Sequence, residues 1–259
     1  MIYIITHKLF ERPKEIDTHY KVLHVGNNSD SAQEYLRDDT KDNISFKNKS
    51  FCELTGIYWI WKNGKEKEND IIGINHYRRY FTNRLGDFLY TYLGIKPHIT
   101  SYSTIQKKLE KYDIILPVRE KIFRTVYQSY SDVHYSEDLE LTREAIAKVL
   151  PDYLQAYDDV MNCHYYYYAN MMVCKKALFD DYAAWLFEIL NELELTIDMD
   201  KYSDNYQKRV FGFLAERLLQ VWVLYNNLNV FEMPAFNTEE RRINFFQKNM
   251  SRVKKALGM

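Results

Sequence analysis

Short apolar strands alternating with amphipathic helices predict an α/β fold for this chain, with a mostly parallel central sheet flanked by helices. Two patterns carry that prediction. β-Branched runs recur at residues 2–6 (IYIIT), 20–25 (YKVLHV), 70–75 (DIIGIN) and 113–116 (DIIL), each short and apolar enough for a strand buried on both faces. Between and after them, apolar residues recur at three- and four-residue steps, the spacing of helices with one buried face.

The elements follow in order. The second run ends in Gly26-Asn27-Asn28, a turn cluster, and a polar stretch rich in Asp, Asn and Lys covers residues 29–49. Residues 51–62 (FCELTGIYWIWK) predict a helix packed on the sheet, stopped by Asn63-Gly64. The strand at 70–75 runs straight into His76-Tyr77-Arg78-Arg79-Tyr80-Phe81. Residues 103–112 predict a helix, Pro117 stops the strand at 113–116, and residues 136–162 predict helix broken at Pro151. Residues 165–174 (YYYYANMMVC) predict a fifth strand, 178–195 and 204–225 two long helices, and 230–233 a short strand. No repeat or linker divides the chain, so residues 1–237 predict one domain and 238–259 a C-terminal tail.

Composition narrows the function. The net charge of −1 gives no global attraction to nucleic acid. Aromatic content is 16%, with 23 Tyr, and tyrosine suits both stacking on bases or sugars and amphipathic filling. Three cysteines (Cys52, Cys163, Cys174) without CxxC spacing read as free thiols in a reducing compartment. The short apolar N-terminus does not resemble a signal peptide, and no segment approaches a membrane span of about 20 apolar residues. The expectation is a cytoplasmic protein.

Candidate chemistry gathers after the strands, because parallel sheets place ligands at their carboxyl ends. His76, Arg78 and Arg79 can hold an anion there, since guanidinium is a permanent planar donor array suited to phosphate oxygens. The same arginines could instead pair with a core carboxylate or face solvent. Asp42, Asn43 and Asn48, with Thr6 and His7, could contact a nucleoside, although Asp and Asn also serve as loop and cap residues. Glu53, Trp59, Tyr77, Asn170 and Arg209 are candidates to line an acceptor site, and tryptophans at helical spacing are also ordinary core. Glu216 is the candidate general base, against the reading of a structural Arg–Glu pair. An Asp-x-Asp metal pair is missing where it would be expected; Asp198-Met199-Asp200 follows a helix in a polar connection. No metal ligand is assigned, and use of a divalent metal, Mg or Mn, is left open. Phosphate-loop, dinucleotide, zinc-protease and nucleophile-elbow motifs are missing from the sequence.

Five pieces carry a resemblance: Thr6-His7 after the first strand, and the boxes at residues 42–63, 70–81, 168–176 and 207–222. In this order they resemble a family of bacterial capsular and exopolysaccharide glycosyltransferases, long catalogued as a domain of unknown function. The resemblance implies a GT-A-like fold and a nucleotide-sugar donor. UDP-hexose is the expected donor type, UDP-galactose or UDP-galactofuranose among them. It also implies a lipid-linked glycan acceptor in capsule, exopolysaccharide or lipopolysaccharide synthesis. The 168–176 strand followed by a helix bearing Glu216 is similar to the layout of inverting GT-A enzymes, whose late acidic residue is the base. The rival is a non-catalytic glycan- or nucleotide-binding subunit supporting another transferase. Residues 239–259 carry six basic and two acidic side chains, with Ile243, Phe246, Met250, Val253 and Leu257 at helical steps. That pattern suits either peripheral contact with an anionic membrane at the inner face or packing on the protein's own body.

Overall fold

The computed structural model describes residues 1–26, 32 and 34–239. Its sheet contains β1 (Ile2–Thr6), β2 (Tyr20–His24) and β3 (Leu36–Arg37), all parallel, with β4 (Ile71–His76) parallel to β1 on the other side. β5 (Arg79–Phe81) folds back on the end of β4. Farther out lie β6 (Ile114–Pro117), the two-residue β7 (Glu120–Lys121) and β8 (Tyr165–Tyr166), which pair with each other, and β9 (Met172–Lys175). β10 (Val230–Met233) runs parallel to β6, and β11 (Ala235–Asn237) pairs with β5. The sheet order is β10-β6-β9-β4-β1-β2-β3, and β9 is antiparallel to both its neighbours. The expected mostly parallel sheet is therefore present with one inverted strand in its middle.

Alternation along the strands builds a core on each face. Tyr3, Ile5, Leu23, Ile72, Ile74 and Leu116 point to one side. There they meet α2 (Leu54–Asn63), α8 (Lys176–Glu194) and α9 (Val210–Tyr225), which lie with α6 (Glu137–Val149) and α7 (Leu154–Asn162) in a large helical layer; the short α1 (Asn48–Phe51) and α5 (Val126–Ser131) border it. Ile2, Ile4, Tyr20, Val22, Ile115 and Val173 point to the other side, against Ile105 of the short α4 (Tyr102–Lys108) and against Phe236 of β11.

Three expectations change. The run at 165–174 is two strands, because Ala169 (φ 75) and Asn170 (φ 41) adopt left-handed backbone between them. The helix expected at 51–62 is split by Cys52 (φ 52), which ends α1 before α2 begins. α3 (Arg84–Leu93), capped by the Asn83 side chain on the Gly86 N–H 2.7 Å away, is a helix that the apolar spacing did not announce. The expected basic amphipathic tail lies outside the described residues from position 240 onward.

Gly56 lets α2 approach the sheet. A Cβ there would lie 2.9 Å from Val25 Cγ1, 3.1 Å from Ile5 Cδ1 and 3.3 Å from Leu23 Cδ2. Gly56→Val should lower stability by about 1–3 kcal/mol, the usual cost of overpacking. Urea denaturation should show a lower midpoint with an unchanged m-value; an unchanged midpoint would mean that α2 can slide on the sheet.

Candidate active site

A cleft of about 1040 Å³ opens at the carboxyl edge of β1, β2 and β4, the edge at which open α/β sheets receive ligands. Thr6 and His7 end and follow β1, Val25 follows β2, and His76, Tyr77 and Arg78 end and follow β4. The facing wall comes from α5, residues 205–209 and the start of α9, through Ser129, His134, Tyr206, Phe213 and Glu216. Six basic side chains line the cleft (Lys49, Arg78, Arg79, Lys208, Arg209 and Arg217) against two acidic ones, Glu53 and Glu216. That surplus of four positive charges, in a chain whose net charge is −1, makes the cleft an anion trap.

The floor is pinned at one residue. Ala169 donates its N–H to Glu216 Oε1 at 2.9 Å, and its carbonyl receives Nε2–H of His76. Burial, with Arg79 nearby, pushes the His76 imidazole down to about 4, so at neutral pH the ring is uncharged and this contact fixes the Nε2–H tautomer. The second Glu216 oxygen accepts from Arg217 Nη1 at 2.9 Å. Arg217 also donates to the Phe213 carbonyl and lies over the rings of Tyr166 and Tyr130. Burial raises the Glu216 carboxyl above its ordinary range, and Arg217 pulls it partly back.

Next along the floor, Asn170 Nδ2 donates to Glu53 Oε1 at 2.7 Å and to the Gly212 carbonyl at 3.1 Å. Burial raises the Glu53 carboxyl too, opposed by Asn170, its own amide, Arg209 and Arg79. Arg209 Nε donates to Cys52 Sγ at 3.2 Å, and its guanidinium lies over Tyr206 and Phe213. Cys52, Ala169 and Asn170 are three of the five non-glycine residues with positive φ among the described residues. Their concentration around two carboxylates is strain gathered at one place.

At the rim, Arg78 Nη1 pairs with Glu239 Oε2 at 3.3 Å and Lys8 Nζ with Glu239 Oε1 at 3.2 Å. Arg79 has no ion pair among the described residues and lies 6.0 Å from the Tyr168 ring centre.

Residues 1–227 match a family described as a domain of unknown function, DUF4422. The chain belongs to the DUF4422 family. No curated protein matches it. A solved structure of the WbbM bifunctional glycosyltransferase, in its apo form, is 31% identical and superposes with a TM-score of 0.76 over 92% of this chain. The match covers 45% of that protein, so the chain spans less than half its length. The shared architecture is the expected GT-A-like one, a mostly parallel sheet flanked by helices.

In this DUF4422 chain the cleft unites Thr6, His7, Asn48, Glu53, His76, Tyr77, Arg78, Arg79, Arg209 and Glu216, and Asn170 meets it through Glu53. Asp42, Asn43 and Trp59 are not among the lining residues. Asp42 accepts from Tyr58 Oη at 3.1 Å, Asn43 Oδ1 caps the Ser45 N–H at 3.2 Å, and buried Trp59 donates to the Thr40 carbonyl at 2.9 Å. In the structure these side chains hold loop and core contacts outside the cleft. The Thr6 hydroxyl closes a local turn on Lys8, and Asn48 Nδ2 ties the Cys52 carbonyl to Thr55. Asp198 caps its own short helix through the Asp200 N–H at 2.9 Å. Among the described residues no three His, Cys, Asp or Glu side chains are arranged to hold a metal ion. The sequence reading missed His134, Tyr166, Tyr206, Lys208, Phe213 and Arg217; the available signal was that Arg217 adjoins Glu216 and Lys208 adjoins Arg209.

His76 sets a pH dependence. Its folded-state value of about 4 lies below the ordinary 6.5, so the unfolded chain takes up the proton first. This contribution to stability is intact above pH 6.5 and is lost as pH falls toward 4. Glu53 and Glu216, both raised, act with the opposite sign, so the comparison must be between variants. His76→Gln should reduce the loss of stability between about pH 7 and about pH 5 by up to roughly 2 kcal/mol. Equal losses in variant and wild type would place a charged imidazole in the folded protein.

Proposed function

We propose that this chain is a glycosyltransferase that passes a sugar from a nucleotide-sugar donor to a glycan hydroxyl. The observation that carries the reading is the basic cleft with two raised carboxylates in its floor, at the ligand edge of the fold shared with WbbM. A diphosphate leaving group gains negative charge as the glycosidic bond breaks, and preorganised guanidinium groups lower the energy of that state. Arg78, Arg79 and Arg209 are the residues for this task. His76, being neutral, would act by holding the floor rather than by adding charge. A carboxylate in the floor would take the acceptor proton.

The purely binding subunit is the weaker alternative, because an anion-binding site gains nothing from two carboxylates under strained backbone. In finer detail the donor would be a UDP-hexose, with UDP-galactose and UDP-galactofuranose the first to try. The acceptor would be a lipid-linked glycan of capsule, exopolysaccharide or lipopolysaccharide synthesis. Among the described residues no helix is long and apolar enough to cross a membrane.

UDP release from these donors, measured with and without acceptor and with Mg, Mn or EDTA, tests the reading directly. The wild type should release UDP slowly without acceptor and faster with it. Arg78→Ala should lower kcat/KM by about 100-fold, and Arg78→Lys should restore part of the loss, because an ammonium lacks the planar fork. Binding of UDP without turnover on any donor would favour the binding subunit. Near-normal turnover in Arg78→Ala would move the leaving-group role to Arg79 and Arg209.

A further inference from the structure

We infer that Glu53, not Glu216, is the general base that takes the proton from the acceptor hydroxyl; this rests on the transferase reading above. The two carboxylates share one cleft floor but are held differently. Glu216 has both oxygens engaged, Oε1 by the Ala169 N–H and Oε2 by Arg217 Nη1, each at 2.9 Å. Each Glu216 oxygen thus already holds a donor, and its ion pair with Arg217 lowers its basicity. Glu53 is in no ion pair among the described residues. From other side chains there it accepts one hydrogen bond, from Asn170 Nδ2 to Oε1.

The surroundings of Glu53 are built to aim it. Cys52 precedes it with φ 52 and ψ −128, a conformation that side chains avoid. That bend ends α1 and turns the next residue into the cleft. Asn170 has φ 41, is 1% exposed, and bonds two acceptors through its Nδ2, the Glu53 carboxylate and the Gly212 carbonyl. Two acceptors on one amide nitrogen fix which way the amide faces, and they leave its Oδ1 buried without a partner. A buried amide kept in that condition serves the carboxylate it holds.

Charged and titratable groups reach Glu53 from each neighbouring element. They are Arg209 ahead of α9, Glu216 on α9, Arg79 on β5, Cys52 beside it in the chain and Tyr182 on α8. The two arginines favour the ionised form that a base requires.

In the step, the acceptor oxygen bonds to the anomeric carbon as the bond from that carbon to the donor's diphosphate oxygen breaks. The leaving oxygen keeps the bonding electron pair, and the hydroxyl proton passes to a Glu53 oxygen and then to solvent. Glu216 is a positioning residue in this arrangement. With His76 it fixes the Ala169 peptide, and through the adjoining Asn170 it aims Glu53.

Glu53→Gln keeps the Asn170 contact and removes the basicity. It should lower kcat for transfer by at least about 1000-fold and abolish the acidic limb of the kcat–pH profile, while the affinity for UDP, measured by calorimetry, stays within about threefold. Glu53→Asp should retain the acidic limb at reduced kcat, which also reports that the cleft is folded. Glu216→Gln should lower kcat by less than about 30-fold and keep the acidic limb. A Glu216→Gln enzyme that loses the limb while Glu53→Gln keeps it would overturn the assignment. If the wild type transfers no sugar from any donor, the transferase reading itself fails, an outcome distinct from a swap between the two glutamates.

Discussion

The Ala169 peptide is the constraint on which the cleft depends. Its N–H goes to Glu216 on α9 and its carbonyl to His76 at the end of β4. One residue, through the two peptide groups that flank its Cα, thereby ties the central sheet, the principal buried helix and the β8–β9 connection. An alanine in left-handed backbone costs about 1–2 kcal/mol, and the Asn170 conformation adds to it. Hydrogen bonds to a carboxylate and a buried imidazole can offset such a cost, since charge-assisted and buried bonds exceed the ordinary worth of a hydrogen bond. Removal of Glu216 would leave the Ala169 N–H without its acceptor, and removal of His76 would leave the Ala169 carbonyl without its donor.

The inverted strand explains how this peptide comes to be where it is. β9 pairs antiparallel with β4, with Met172 opposite Ile74 and Lys175 opposite Ile71. The chain entering β9 therefore arrives at the carboxyl edge of β4, beside His76. A parallel β9 would have delivered residues 167–171 to the opposite edge of the sheet, far from β1 and β2. Inversion of this one strand, between β4 and β6, brings the Ala169–Asn170 turn to the ligand edge without a long connection. α8 then starts at the far edge, and α9 returns so that Glu216 meets the turn from the helical side.

Much of this was legible in the sequence, and the losses have physical causes. The runs IYIIT, YKVLHV, DIIGIN and DIIL announced β1, β2, β4 and β6 because strands buried on both faces are near-continuous β-branched runs. The same property hides direction, so β9 read as one more parallel strand. The break at 169–170 carried no glycine to mark it. Asn tolerates left-handed backbone, and the contacts that hold Ala169 there come from residues 93 and 47 positions away. Local pattern cannot show an energy supplied from such a distance. The HYRRY box was placed at the ligand edge on the strength of the preceding strand alone; His76, Tyr77, Arg78 and Arg79 line the cleft, while Tyr80 is buried in the core. Asp42, Asn43 and Trp59 lie outside the cleft with their polar groups bonded within the 40–45 loop or between it and α2, an arrangement that composition cannot tell from a ligand contact.

The cations of the cleft fall into two classes by the partners they hold. Arg217 is anchored, with Glu216, the Phe213 carbonyl and two tyrosine rings around a guanidinium that is 10% exposed. Arg78 is exchangeable: it is 38% exposed, and its carboxylate partner Glu239 is shared with Lys8. An exposed pair of this kind is worth about 1 kcal/mol or less, whereas a diphosphate offers more charge and more acceptor oxygens to the same fork. On the proposed reading, a diphosphate would displace Glu239 from these two rim cations. Lys49, Lys208 and Arg79, with no ion pair among the described residues, add attraction that needs no exchange at all. Arg217 is thus fixed by its partners, whereas the rim cations hold weak or no ion pairs among the described residues.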